Sequence, residues 1–202
     1  MQTYKKSTKF TNVASSLMLA LNHFNLSTEL NRENEFKIWQ KTVILPTRGS
    51  CIFLSALQAH QNNIPTKVIV ENTEYRFPQS SKIKNLFFSK KEIYDAKFSS
   101  ELNLKEAKSK GLNVEVRDFD LNEVIGYLKQ NKIVLLRVNI APLVKSKSIP
   151  DYILLYGFGN DKFLWANTFE GDITKIPKEK LKECFTTLKT KCKRDNRIIV
   201  FG

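Results

Sequence analysis

The sequence is short of the residues that most catalytic and scaffolding devices require. Only two histidines, His23 and His60, occur in 202 residues, which argues against a His-rich metal site and leaves two candidates for any His-dependent catalysis. The three cysteines, Cys51, Cys184 and Cys192, are an odd set without a C-x-x-C spacing. That pattern supports neither a disulfide framework nor a cysteine-rich zinc site, and it fits a reducing, cytoplasmic setting. Glycine is scarce, with seven in the chain, and no Gly-rich phosphate loop is among them, so a nucleotide-dependent enzyme is not indicated. Asp118 and Asp120 read as a turn and a helix cap, too few oxygen ligands for a cation. No cofactor and no metal is expected. Long apolar runs are missing as well. The basic stretch from Met1 to Phe10 is followed by one that Asn12, Ser15, Ser16, Asn22 and His23 interrupt, so neither a signal peptide nor membrane insertion is expected.

What is present suffices for one sizeable core. Hydrophobic residues make up 42% and include fourteen Phe, against 26% charged residues, a balance that folds rather than staying disordered. The length predicts a single domain over residues 1–202. A formal net charge of +13 favours anionic partners without choosing one.

Hydrophobic spacing predicts a helix over about 12 to 25, where Val13, Leu17, Ala20, Leu21 and Phe24 recur behind Thr11 or Asn12 as cap. A second helix is predicted over 29 to 42, capped by Ser27 or Thr28, with Leu30, Phe36, Trp39 and Val43 on one face. A turn at Pro46, Arg48, Gly49 and Ser50 leads to a third helix over 51 to 61. The β-branched run after Pro65 predicts a strand at 66 to 71. Residues 82 to 110 predict one or two amphipathic helices, with Phe87, Phe88, Ile93, Tyr94, Phe98, Leu102 and Leu104 as core and the lysines as a solvated face. Then follow a strand at 113 to 117, a helix at 121 to 131 capped near Asp120, a buried strand at 133 to 138 and a Pro-bounded loop over 142 to 150. Strands at 152 to 158 and 162 to 167 flank the turn Gly157 to Asp161 and predict an antiparallel hairpin. Pro177 opens a last helix to about Thr190, and Arg197 to Phe201 is a closing strand. Helices first and mostly strands afterwards predict an α+β fold.

Cys51 stands at a predicted helix start, where the helix dipole favours a thiolate. His60 lies nine positions on, about 900° around the helix and roughly 13 Å away, so the two cannot form a dyad. His23 could approach Cys51 only through tertiary contact.

A second constellation rests on three segments. Residues 6 to 24 resemble the opening of the C39-like cysteine peptidases, a branch of the papain-like fold, in which a Gln precedes the nucleophilic Cys by six residues. Glu33 to Trp39 looks like the Glu-x-x-Leu-Trp helix of some members. Ile149 to Phe169 looks like the family's His-bearing hairpin and its closing Asn-Asp-Pro. The resemblance implies a papain-like fold with N-terminal helices packed on a mainly antiparallel sheet. It places Lys6 at the oxyanion Gln, Asn12 at the nucleophile, Asp151 at the His and Thr168 at the orienting Asp, while Asn167 matches the family's Asn. An amide is no substitute for a thiolate, and a carboxylate with an ordinary pKa near 4 is a poor proton shuttle at pH 7. The resemblance therefore implies a pseudoenzyme whose former active-site cleft binds an extended peptide or a protein partner, with Asn12, Asp151 and Asn167 as candidate peptide contacts. Two other readings stay open. One is a hydrolase or transferase that uses Cys51, or an unfamiliar set of Asn12, Asp151 and Lys6. The other is an anion-binding or nucleic-acid-binding accessory protein, using the tract at 82 to 110 and the cluster Lys189, Lys191, Lys193, Arg194 and Arg197; no recognition motif supports it.

Overall fold

Residues 133 to 138, Ile-Val-Leu-Leu-Arg-Val, read as an almost unbroken apolar run, which a strand needs only when both faces of its sheet are covered. The computed structural model, which describes residues 1–24, 27–45, 47–74 and 89–202, shows that arrangement. In chain order the elements are α1 (Asn12–Phe24), α2 (Arg32–Thr42), β1 (Val43–Ile44), β2 (Gly49–Ser50), α3 (Ile52–Gln61) and β3 (Thr66–Val70). Then come α4 (Lys90–Ser109), β4 (Asn113–Val116), α5 (Leu121–Lys129), β5 (Ile133–Asn139) and the short α6 (Ala141–Val144). The last are β6 (Pro150–Gly159), β7 (Lys162–Asn167), β8 (Asp172–Pro177), α7 (Lys178–Thr190) and β9 (Arg197–Phe201). Among the described residues, seven strands form one sheet in the order β4-β3-β9-β5-β6-β7-β8. Every pairing is antiparallel except β3 with β4. The fold is α+β.

Strand alternation sends each side chain into one of two cores. Ile133 and Leu135 of β5, Val68 and Val70 of β3, and Ile199 and Phe201 of β9 face α1, α3 and α4. Val134, Leu136 and Val138, with Ile69, Ile198 and Val200, face α5 and α7. Helix α1 is buried on every side from Asn12 to Asn22, because α2 and α3 cover the surface that β6 leaves uncovered. Among the described residues, no helix is long and apolar enough to cross a membrane.

Several expectations need correction. Helix α2 starts at Arg32, not at 29: Asn31 caps it by accepting from Asn34 N–H at 2.8 Å, so Ser27 and Thr28 do not serve as its cap. Its fully buried residues are Glu35, Ile38 and Thr42; Leu30 and Trp39 of the expected face do pack against the core, whereas Phe36 joins Phe10 and Trp39 in an aromatic cluster only partly covered. On α4 the capping box between Ser89 and Glu92 fixes the start. Its buried line is Ala96, Ser100 and Ala107, with Ile93 and Leu104 packed beside it; Tyr94, Phe98 and Leu102 point outward. The expected core role of Phe87 and Phe88, the start of the 82–110 tract, residue 25 at the end of the first helix and the turn residue Pro46 lie outside the described residues. Strand β8 was not anticipated. It is an edge strand with only Ile176 buried, so its sequence alternates weakly. The short α6 lies in the expected loop at 142 to 150, and the small hairpin of β1 and β2 replaces a simple turn.

Candidate functional site

The site forms where the first turns of α1 and α3 meet the ends of β5, β6 and β9. Asn12 opens α1 and Asp151 is the second residue of β6, 139 positions later. Asn12 Nδ2 donates to Asp151 Oδ1 at 2.8 Å and to the Tyr152 carbonyl at 2.6 Å. Thr168 Oγ1 donates to Asn12 Oδ1 at 2.5 Å, and Tyr152 N–H also donates to Asp151 Oδ1, at 2.8 Å. Asn12 and Thr168 are buried and Asp151 is partly so. The Asn12 amide is thus committed on both its nitrogen and its oxygen, which fixes its orientation.

Lys6 reaches this set from the extended N-terminal segment. Its backbone N–H donates to the Thr168 carbonyl at 2.9 Å, and its ammonium lies 3.3 Å from the centroid of the Phe169 ring, a cation–π contact. Burial lowers the Lys6 pKa, against the opposite pull of the Asp151 and Glu35 carboxylates. Burial raises the Asp151 pKa, against the pull of Lys6 and the bonds from Tyr152 and Asn12. Both shifts carry the same energetic sense: each charge weakens the fold at neutral pH, and the penalty lifts for Asp151 as pH falls through its raised pKa and for Lys6 as pH rises through its lowered one. Asn167 turns away into the loop joining β7 and β8, accepting from Phe169 N–H at 3.0 Å and donating to Thr174 Oγ1 at 3.1 Å.

Beside Asn12 and Asp151 lies a cleft of about 340 Å³, whose walls include Val13, Ile44, Cys51, Ile149, Tyr152 and Arg137. Cys51 therefore shares the cleft with Asn12. Its thiol is buried, and burial pushes its pKa up despite the backbone N–H groups of Leu54 and Phe53. No imidazole is near. His60 sits in the last turn of α3, beside Gly111, and His23 in the last turn of α1, against Phe24. Each is separated from the cleft by the length of its helix, about 16 Å along α1. All three cysteines are unbridged. Among the described residues, no three His, Cys, Asp or Glu side chains converge as metal ligands would.

Two features escaped sequence reasoning. Glu35 is fully buried and accepts from Ser15 Oγ at 2.6 Å, Tyr4 Oη at 3.0 Å and Ser7 N–H at 3.1 Å. Burial alone would raise its pKa, but the bonds from Ser15, Ser7 and Thr11 together hold it below the usual range. Arg137 lines the cleft, beside Arg197 of the expected basic cluster. A lone charge inside the apolar run of β5 was the available signal for Arg137. The basic cluster at 189 to 197 is not one surface: Lys189 pairs with Glu71 at 2.6 Å, Lys191 and Lys193 are exposed, and Arg194 and Arg197 are buried at the cleft.

Residues 1–184 match a family model described as a Peptidase_C39 like family. No curated protein matches the chain.

Proposed function

Because the chain belongs to the Peptidase_C39 like family, we propose that it keeps a papain-like cleft as a binding site for an extended peptide or a protein partner and does not cleave what it holds. The carrying observation is the closed set Thr168–Asn12–Asp151, joined at 2.5 Å and 2.8 Å. These are the positions that the resemblance gives to the orienting carboxylate, the nucleophile and the imidazole. Hydrolysis of an amide by this route needs an activated nucleophile and a group that takes and returns a proton near neutral pH. An amide nitrogen whose hydrogens are bonded to Asp151 and Tyr152 attacks nothing. Burial raises the Asp151 pKa, but the group bonded to it is the Asn12 amide, which has no proton to exchange near neutral pH. What remains is a shaped, partly apolar cleft edged by polar groups, the usual build of a recognition site. Asp151 and the start of its own strand, β6, form the wall along which a peptide would lie.

The Cys51 reading keeps one supporting observation, since its thiol lines the same cleft. Against it stand the raised pKa and the two distant imidazoles.

Peptide pools incubated with the intact protein, followed by mass spectrometry for cleavage and fluorescence anisotropy for binding, test the proposal. Binding without cleavage is expected, as is loss of binding in Asp151→Lys. Asn12→Cys alone should confer no cleavage, because Asp151 still stands where proton exchange is needed. Robust cleavage by the unaltered protein overturns the proposal, and cleavage that disappears in Cys51→Ala transfers the chemistry to that thiol.

A further inference from the structure

Resting on the binding reading above, we infer that the cleft selects acidic peptides by seating a carboxylate on Arg137 and Arg197. The register carries the first step. Leu136 of β5 pairs with Ile198 of β9, so the next residues along, Arg137 and Arg197, stand opposite each other on the face that turns to α1 and α3. Like charges directly opposite on neighbouring strands repel. Both are also largely removed from water, with side-chain exposures of 15% and 6%. Asp195 lies 3.4 Å from Arg137 Nη1 and 2.6 Å from Arg197 Nε, Arg197 Nη2 donates to the neutral Glu74 carbonyl at 2.7 Å, and Asp151 acts on Arg137 through charge while Lys6 pulls on the same carboxylate. The next acid along, Glu71, is taken by Lys189 at 2.6 Å and by Asn196 at 3.1 Å. Lys9, Arg137, Arg194 and Arg197 line the cleft against Asp151 and the adjoining Asp195, so this end of the cleft retains a net positive charge, a costly arrangement unless an anion visits it.

The surroundings strengthen the same field. The first residues of α1 and of α3 line the cleft, and the positive ends of two helix dipoles add to the guanidinium charge. Planar guanidinium forks match a carboxylate in two parallel bonds. Val13, Ile44 and Ile149 on the remaining walls offer apolar contact to the side chains next to that carboxylate. Nucleic acid fits less well, because phosphate-backbone binding works through exposed cations that release counterions, and these two are buried. Asp151 of β6 lines the same cleft and is the acceptor available to an N–H donor of the same peptide.

The test uses the intact protein and fluorescein-labelled octapeptides of one apolar sequence in four forms. One has a free C-terminal carboxylate, and three are amidated, carrying a central Glu, Gln or Lys. Anisotropy is expected to give the Glu form, the free-carboxylate form or both an affinity at least about tenfold above the Gln form. Which of the two gains identifies the source of the carboxylate. Arg137→Gln should abolish the preference, so that the acidic forms bind the variant no better than the Gln form binds it, and Arg137→Lys should recover only part. If Arg137→Gln does not fold, acetate competition on the unaltered protein serves instead: acetate should displace the acidic peptides more than chloride at equal ionic strength. Equal binding of all four peptides overturns this inference and leaves the peptide-binding reading standing. No binding by any of them overturns both. A single-stranded oligonucleotide whose binding falls in Arg137→Gln, with peptide binding unmoved, overturns it in favour of phosphate.

Discussion

Glu35→Gln tests the tie that holds the N-terminal segment to the helices and, through it, places Lys9 and Phe10 at the cleft. The carboxylate receives Ser15 Oγ, Tyr4 Oη and Ser7 N–H, the last within 3.1 and 3.2 Å of its two oxygens. Among the described residues no cation lies within ion-pair distance of it, and Lys6 acts on it only through space, so these hydrogen bonds carry most of its stabilisation. Gln keeps the shape but turns one acceptor into a donor. The hydroxyls can redirect: Ser15 Oγ already bonds the Thr11 carbonyl at 2.9 Å and Tyr4 Oη lies 3.2 Å from Ser7 Oγ. Ser7 N–H has no such alternative. Losing one charge-assisted bond and straining another costs about 2 kcal/mol, which for a chain of this length lowers Tm by about 4–8 °C at neutral pH. The pH dependence carries the sign. A carboxyl whose folded pKa is depressed contributes stability present above its unfolded pKa and lost as pH falls through the folded one. The gap between the two proteins should therefore be full near pH 7 and shrink below about pH 4. Thermal unfolding followed by circular dichroism across that range checks both statements. A Tm within about 1 °C of the unaltered protein, or a gap that does not change with pH, refutes the reasoning.

Two other expectations follow from burial and charge. Under native conditions a thiol-directed alkylating reagent should modify Cys192, the least buried cysteine, well before Cys51 or Cys184, whose thiol is pushed up to about 12 by burial; peptide mapping reads the order, and fast modification of Cys51 contradicts it. Arg117 sits between Glu115 and Glu123 at 2.8 and 2.5 Å and holds the Glu123 carboxyl down to about 2. Because water still reaches all three groups, Arg117→Ala should cost only about 1 kcal/mol at pH 7, a difference that disappears as pH falls towards 2 and the Glu123 contribution is lost; urea titrations at the two pH values measure it.

The sequence alone determined the elements whose signals are local. The run of 133 to 138 had to be a strand covered on both faces, the turn after Gly157 had to reverse the chain between β6 and β7, and Asp120 caps α5 by accepting from Glu123 N–H. Resemblance in three segments was enough to name the family. Tertiary structure alone decided which residues meet. The choice of Asn31 over Ser27 and Thr28 as the cap of α2 came from competition among neighbouring side chains of nearly equal capping strength. The edge strand β8 pairs because β7 offers it a free edge, not because its own alternation is strong. Asn12 bonds Asp151 across 139 positions because α1 packs on β6, and Arg137 faces Arg197 across 60 because the register of β5 with β9 sets them side by side. Periodicity tells which face of a strand is apolar. It carries no information about the strand standing next to it, and the chemistry of this cleft depends on that adjacency.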